Sequence, residues 1–198
     1  MYKLIIFDLG GVITDYSEFE YYAYLSSKYN IPLDKIERTL EPMIAKLESS
    51  RITLREFESR ASRSLNLTRK SLDWSKAFER LAGTNPQTQN LVRRLRKRYL
   101  VVLLSNITRS RYEVASTKFF SPSLFDRVFV SYAIRMRKPE ARIYRYVLHH
   151  MHVRASEALF IDNQPENIEG ARRVGIRSIL FTNYKALERE LRHIGVIN

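Results

Sequence analysis

The chain contains no cysteine in its 198 residues, which excludes disulfides and thiolate metal sites and fits an intracellular protein. Glycine and proline number six each, too few for a collagenous or low-complexity chain. No apolar run approaches the roughly 20 residues a membrane-spanning helix needs. The first residues enter an apolar strand at once, leaving no room for a signal peptide, so a cytoplasmic location without a membrane partner is expected. Acidic residues are the scarce class, 21 against 34 Lys and Arg, for a net charge of +13. That balance favours anionic partners. The basic residues are scattered, however, and the densest run, Arg93 to Arg98, reads as the solvated face of a helix. No nucleic-acid motif accompanies it, so nucleic acid is not the expected partner. Only four histidines and one tryptophan occur. His149 and His152, three apart, would need further ligands to hold a metal and read as surface or partly packed residues. Trp74 reads as a packing residue.

What is present is a set of short apolar runs. Leu4-Ile5-Ile6-Phe7 has no polar alternation and predicts a strand buried on both faces, as in a parallel sheet covered by helices. Val101 to Leu104, Val128 to Val130, Ala158 to Ile161 and Ile179 to Phe181 repeat the pattern. Helical stretches separate them: one opening at Asn85-Pro86 and ending near Arg98, one from about Pro139 to Met151, one starting at Pro165 with Gly175 as a left-handed stop, and one from Tyr184 to Ile194. Alternation of this kind defines an α/β class with a doubly wound, Rossmann-like parallel sheet. From Ser17 to Leu81 the spacing is helical throughout, broken at Asn30 to Pro32, Ser49 to Ile52 and Asn66 to Thr68, with Thr53 and Glu56 at capping-box spacing. This predicts a core of residues 1–14 and 86–198 with an all-helical insert over 15–85. Tyr21 and Tyr24 read as packing residues or a plain helix face rather than a pocket lining. Oligomeric state is not legible.

Three of the strands end alike, in Asp8 followed by Gly10-Gly11, in Ser105-Asn106 and in Asp162-Asn163, and a loop adds Lys138. In open α/β sheets ligands bind at the C-terminal strand ends, so these groups form one candidate site. A carboxylate there can act as a covalent nucleophile. Phosphoryl transfer needs charge neutralisation at the phosphoryl oxygens. In that reading Asp8 attacks phosphorus, Lys138 holds the transferring group, Ser105 donates a hydroxyl, and backbone N–H groups near Gly11 and Asn106 assist. A magnesium ion takes few protein oxygens and keeps several waters, and Asp8, the Gly10 carbonyl and Asp162 or Asn163 can supply them.

Phe7-Asp8-Leu9-Gly10-Gly11-Val12, Leu103-Leu104-Ser105-Asn106, Arg137-Lys138-Pro139-Glu140 and Phe160 to Asn167 resemble, in order, the four motifs of the haloacid dehalogenase superfamily. The helical insert matches in position the C1-type cap that closes such sites. The run from Met136 to Tyr144, with Asn167 to Ala171, is most similar to the branch holding sugar-1-phosphate phosphatases and the N-terminal phosphatase of epoxide hydrolase. The resemblance implies a magnesium-dependent phosphatase of a small phosphorylated metabolite, a sugar phosphate favoured, working through an aspartyl-phosphate on Asp8. Two positions depart from the pattern. Gly10 stands where the family usually has the aspartate that protonates the leaving alcohol, leaving Asp15 or Tyr16 as substitutes. Asn163 stands where this branch has a second acid as metal ligand. The departures keep two alternatives in view: a fold that binds a phosphorylated ligand or partner without turnover, and a metal-free haloacid dehalogenase.

Overall fold

The computed structural model describes residues 1–68 and 72–198. Its centre is a five-stranded parallel sheet of β1 (Leu4–Phe7), β4 (Leu100–Ser105), β5 (Arg127–Val130), β6 (Ala158–Asp162) and β7 (Arg177–Leu180), in the spatial order β5-β4-β1-β6-β7. The strand met first in sequence is therefore the middle one, and the chain winds outward from it in both directions. Alternate residues of the apolar runs serve opposite faces: Ile5, Phe7 and Leu103 join one hydrophobic core, Leu4, Ile6, Val102 and Leu104 the other. Burial on both sides is why these strands lack polar alternation.

The expected helices are present, with small shifts at their ends. The helix opened by Asn85 spans Pro86–Leu95, and the Asn85 side chain accepts a hydrogen bond from the Thr88 N–H. Its basic continuation is exposed, and Arg96 pairs with Asp126 at 2.7 Å, so the Arg93 to Arg98 run is a solvated edge. The helices at Ala141–Met151, Pro165–Arg172 and Tyr184–His193 complete the layers. A helix at Arg109–Lys118 was not expected. Its outer turns carry Arg, Ser, Glu, Thr and Lys with few apolar residues, so no stripe advertises it, and the Thr108 hydroxyl caps it by accepting from the Arg111 N–H.

Among the described residues between Asp15 and Gly83 lie helices α1 (Glu18–Tyr29), α2 (Leu33–Glu48), α3 (Leu54–Ser64) and α4 (Trp74–Leu81). The capping box at Thr53 and Glu56 is formed: Glu56 N–H donates to Thr53 Oγ1 at 3.2 Å, and Thr53 N–H to Glu56 Oε2 at 2.8 Å. The two ends of the helical stretch meet in a small antiparallel ribbon of β2 (Thr14–Asp15) and β3 (Gly83–Thr84), a feature two residues per strand are too short to announce. Tyr21 is buried, its hydroxyl donating to the Leu72 carbonyl at 2.7 Å and its ring packed edge-on against Trp74. Tyr24 stands beside Lys28 and Arg80. Among the described residues no helix is long and apolar enough to cross a membrane.

Candidate active site

Register brings the three strand ends together. Phe7 is level with Leu103 of β4 and Ile161 of β6, so Asp8 and Asp162 leave the sheet side by side, with Ser105 just beyond on the neighbouring strand. Asp8, Ser105 and Asp162 are all buried. The loop after β5 brings Lys138 between the two acids: Nζ donates to Asp8 Oδ1 at 2.5 Å and to Asp162 Oδ2 at 2.6 Å.

That lysine is fixed by its backbone as well. Asn106 clamps it, its Oδ1 accepting from Lys138 N–H at 2.9 Å and its Nδ2 donating to the Lys138 carbonyl at 3.0 Å. Gly170, on the helix Pro165–Arg172, lets that helix meet the next residue of the loop; a Cβ there would stand 2.6 Å from the Pro139 carbonyl oxygen. Asp162 is equally committed: Asn167 Nδ2 donates to both its oxygens at 3.1 Å and Gln164 N–H to Oδ1 at 2.8 Å. Held this way, Asp162 orients Lys138 through Oδ2. Asn163 is different. Its Oδ1 is buried without a hydrogen-bond partner, and its side chain lies over Gly11, where a Cβ would come within 2.2 Å of Nδ2. Gly11 also has φ +76°, a left-handed conformation that suits glycine.

Burial pushes the Asp8 carboxyl up to about 6, Lys138 opposing and Asp162 reinforcing the shift. For Lys138, burial works against its charge but the two carboxylates outweigh it, and its value is raised. The site holds one ammonium between two acids, so it is short of positive charge until a cation arrives.

Asp8 stands at the floor of a cavity of about 500 Å³ between the sheet and the helical stretch, whereas Asp162, fully buried beneath Lys138, does not line it. Asp8, Gly10, Ser105, Asn106, Lys138 and Asn163 line it; Gly11 does not, standing behind Asn163. Asp15 is exposed and lies outside the lining, whereas the buried Tyr16 is inside it. The far wall contains residues that sequence reasoning missed: Glu18 and Glu48 from the helical stretch, Arg111 from the unforeseen helix, and Arg137 beside the lysine. Among the described residues His149 and His152 belong to no metal-binding cluster.

Glu48 ends α2, where the helix dipole adds to the difficulty of charging it. Burial, with Glu18 adding repulsion, pushes its carboxyl up to about 7 against the pull of Arg137, whose Nη2 donates to it at 3.2 Å. The folded protein therefore holds a proton that the unfolded chain gives up near 4.5. Stability is full below that pH and declines as pH rises from about 4.5 through 7, by an amount on the order of 3 kcal/mol. Glu48→Gln is expected to remove most of that decline. Urea midpoints at pH 5 and pH 8 check it, and equal pH dependence in both proteins would refute the assignment.

A doubly wound sheet carries a carboxylate at the end of its middle strand, an ammonium beside it and a helical wall above, at the strand ends where open α/β sheets bind their ligands. Residues 2–175 match the haloacid dehalogenase-like hydrolases, and the chain belongs to that family. Over 128 residues it is 33% identical to a drimenol cyclase of Aspergillus calidoustus, spanning 65% of this chain but 23% of that protein. It is 31% identical to a sesquiterpene phosphatase of Aspergillus oryzae over 94 residues, 48% of each. A D-ribitol-5-phosphate phosphatase of Bacteroides thetaiotaomicron is 26% identical over 96% of this chain and 97% of its own length. A solved HAD family enzyme from the same bacterium, crystallised with magnesium, shares the fold with a TM-score of 0.78 at 22% identity, covering 95% of this chain and 98% of that one.

Proposed function

We propose that the chain is a phosphatase of a small phosphorylated metabolite, a sugar or polyol phosphate favoured, with Asp8 as nucleophile and magnesium as cofactor. The observation that carries this reading is the Lys138 ammonium 2.5 Å from the Asp8 carboxylate at the floor of the cavity. An Asp8 oxygen attacks phosphorus, the bond to the leaving oxygen breaks, and an acyl phosphate forms on Asp8. Water then cleaves it, returning the carboxylate and releasing phosphate. Lys138 neutralises charge on the phosphoryl oxygens through both steps, and Ser105, one residue further along the neighbouring strand, supplies a hydroxyl. Relatives support the reaction class: a D-ribitol-5-phosphate phosphatase aligns over nearly the whole chain.

The residues present fit a hard cation of modest affinity. Asn163 Oδ1 is a buried oxygen with no partner, and Asp8 and Gly10 line the same cavity. Asp162 is occupied by Lys138 in this arrangement and serves as its anchor. When bound, the ion neutralises phosphoryl charge and orients the group for attack. With a neutral amide in place of an acid, occupancy needs more magnesium. Asn163→Asp is expected to lower the magnesium concentration for half-activation roughly tenfold, about 1.4 kcal/mol. Magnesium titration of phosphate release checks it; an unchanged or higher requirement would remove Asn163 from the ligand set.

Gly10 gives the leaving group no acid. Tyr16 lines the cavity, and burial raises its phenol well above the usual value, so it stays protonated and releases its proton reluctantly. The reading therefore favours leaving groups that need little help, such as an anomeric oxygen. The test is phosphate release from an activated aryl phosphate, sugar 1- and 5-phosphates, alditol phosphates and a prenyl phosphate. Magnesium-dependent release from the hydroxylated substrates supports the reading. Release confined to the prenyl phosphate would replace the substrate, and silence on all of them from folded protein at saturating magnesium would overturn the function.

A further inference from the structure

Among the described residues, five buried side-chain polar atoms have no hydrogen-bond partner: Thr88 Oγ1, Arg111 Nε, Arg111 Nη2, Arg137 Nε and Asn163 Oδ1. Four of the five belong to residues lining the one cavity above Asp8. Unpaired buried N–H groups are costly and rare in folded proteins. Concentrated in one cavity, they mark what the cavity is made to receive. Asn163 Oδ1 is taken up by the magnesium reading, and the three arginine nitrogens are not.

Arg111 is the stronger of the two arginines. It is 2% exposed, and its guanidinium lies 3.3 Å from the centre of the Trp74 ring, with Tyr16, Tyr21 and Phe78 within 5.4 Å. Nη1 pairs with Glu18 Oε1, and Tyr16 Oη donates to Glu18 Oε2 at 3.3 Å. Aromatic rings below and the carboxylate at one end fix the plane. The Nε and Nη2 edge is left as a two-pronged donor, a shape that matches a pair of neighbouring oxygens.

The charges around it decide which oxygens. Glu18 cancels the arginine within one ion pair, Glu48 stands beside Arg137, and Glu37 and Glu41 also line the cavity. A second anionic group would meet more acids than free cations. Vicinal hydroxyls suit the site better: they bring no charge, and their oxygens accept from the Nε and Nη2 edge of the guanidinium. We propose that Arg111, held by Trp74 and Glu18, is the specificity-determining residue of a diol-binding subsite that recognises adjacent hydroxyls of the substrate away from its phosphate. This rests on the phosphatase reading and names the part of the substrate that the helical wall selects. The family motifs do not contain Arg111.

The experiment crosses the protein change with a substrate change. Wild type and Arg111→Lys, which keeps the charge against Trp74, are assayed on a sugar 1-phosphate, on its analogues deoxygenated at single carbons remote from the phosphate, and on an activated aryl phosphate. Removing the recognised hydroxyl is expected to raise KM at least tenfold in wild type and under threefold in Arg111→Lys, with kcat moved less than KM. A purely structural role would lower activity on every substrate alike and leave the deoxy penalty intact, which would overturn the subsite. A larger gain for a carboxylated or doubly phosphorylated substrate would overturn the diol in favour of a second anion. The same pairs are read as binding by calorimetry in the Asp8→Asn background. Absence of all phosphate release therefore refutes the function alone, while loss of the deoxy penalty in binding still judges Arg111.

Discussion

Replacing Asp8 with asparagine is expected to lower turnover by a factor on the order of 10⁵ or more, the scale seen when a covalent nucleophile is removed, while the fold is kept. The amide is nearly isosteric and can still accept from Lys138, but it cannot form the acyl phosphate. Stability should move the other way. Because burial and Asp162 raise Asp8 from 3.8 to about 6, the folded protein binds its proton more tightly than the unfolded chain does. Ionising Asp8 therefore takes stability away as pH rises from about 4 through 6. Removing the charge leaves Lys138 paired with Asp162 alone at 2.6 Å, one ammonium to one carboxylate. Asp8→Asn should be more stable than wild type at pH 8, by about 1–3 kcal/mol and with a correspondingly higher Tm, and nearly equal to it at pH 4. Calorimetry in magnesium-free buffer at the two pH values reads the stability, and phosphate release at saturating magnesium reads the activity. An inactive variant that is also less stable at pH 8 would mean that Asp8 holds the fold together more than it serves the reaction.

The fold was legible because its signals are local and strong. Unbroken apolar runs such as Val101 to Leu104 can be buried only on both faces, and Asn85-Pro86 and Thr53 with Glu56 start helices by chemistry visible in the residues themselves. The floor of the site was legible for a related reason. Parallel strands aligned by hydrogen bonding must end together, so polar residues following the apolar runs, Asp8, Ser105 and Asp162, are neighbours once the strands are in register. The wall was not legible. Arg111 lies on a helix with no apolar stripe, and its place beside Tyr16 and Trp74 depends on how three separate segments pack. Glu48 looks like any other acid at a helix end until the Ile107 N–H and the Glu48 carbonyl are seen to share the Ser131 hydroxyl, at 3.0 and 2.8 Å. The division of labour between Asp162 and Asn163 was open for the same reason. Both carry a suitable oxygen, and only the hydrogen bonds from Lys138, Gln164 and Asn167 decide which one is already in use.

Lys138→Met carries the second large effect, on stability and activity together. Methionine fills similar volume at a position 1% exposed but supplies no charge, so Asp8 and Asp162 become buried acids facing each other. Breaking a buried ion pair by removing one partner typically costs about 3–5 kcal/mol, because the remaining charge has lost its compensation. Here two charges lose it. The protein escapes part of that cost by keeping a proton on one acid, which is cheap at low pH and increasingly expensive as pH rises. The destabilisation should therefore be small near pH 4 and full near pH 8, a fall in Tm of roughly 2–4 °C for each kcal/mol in a chain of this size. Magnesium should recover some of the loss by bringing positive charge to Asp8, yet it cannot recover turnover, since no ammonium remains to hold the phosphoryl oxygens. Combined with Asp8→Asn, the change should cost less than it does alone, because one of the two stranded charges is gone. Urea denaturation of the single and double variants at both pH values tests this. Strict additivity of the two changes would show that Lys138 and Asp8 do not act on one another, and would remove the pair from the centre of the mechanism.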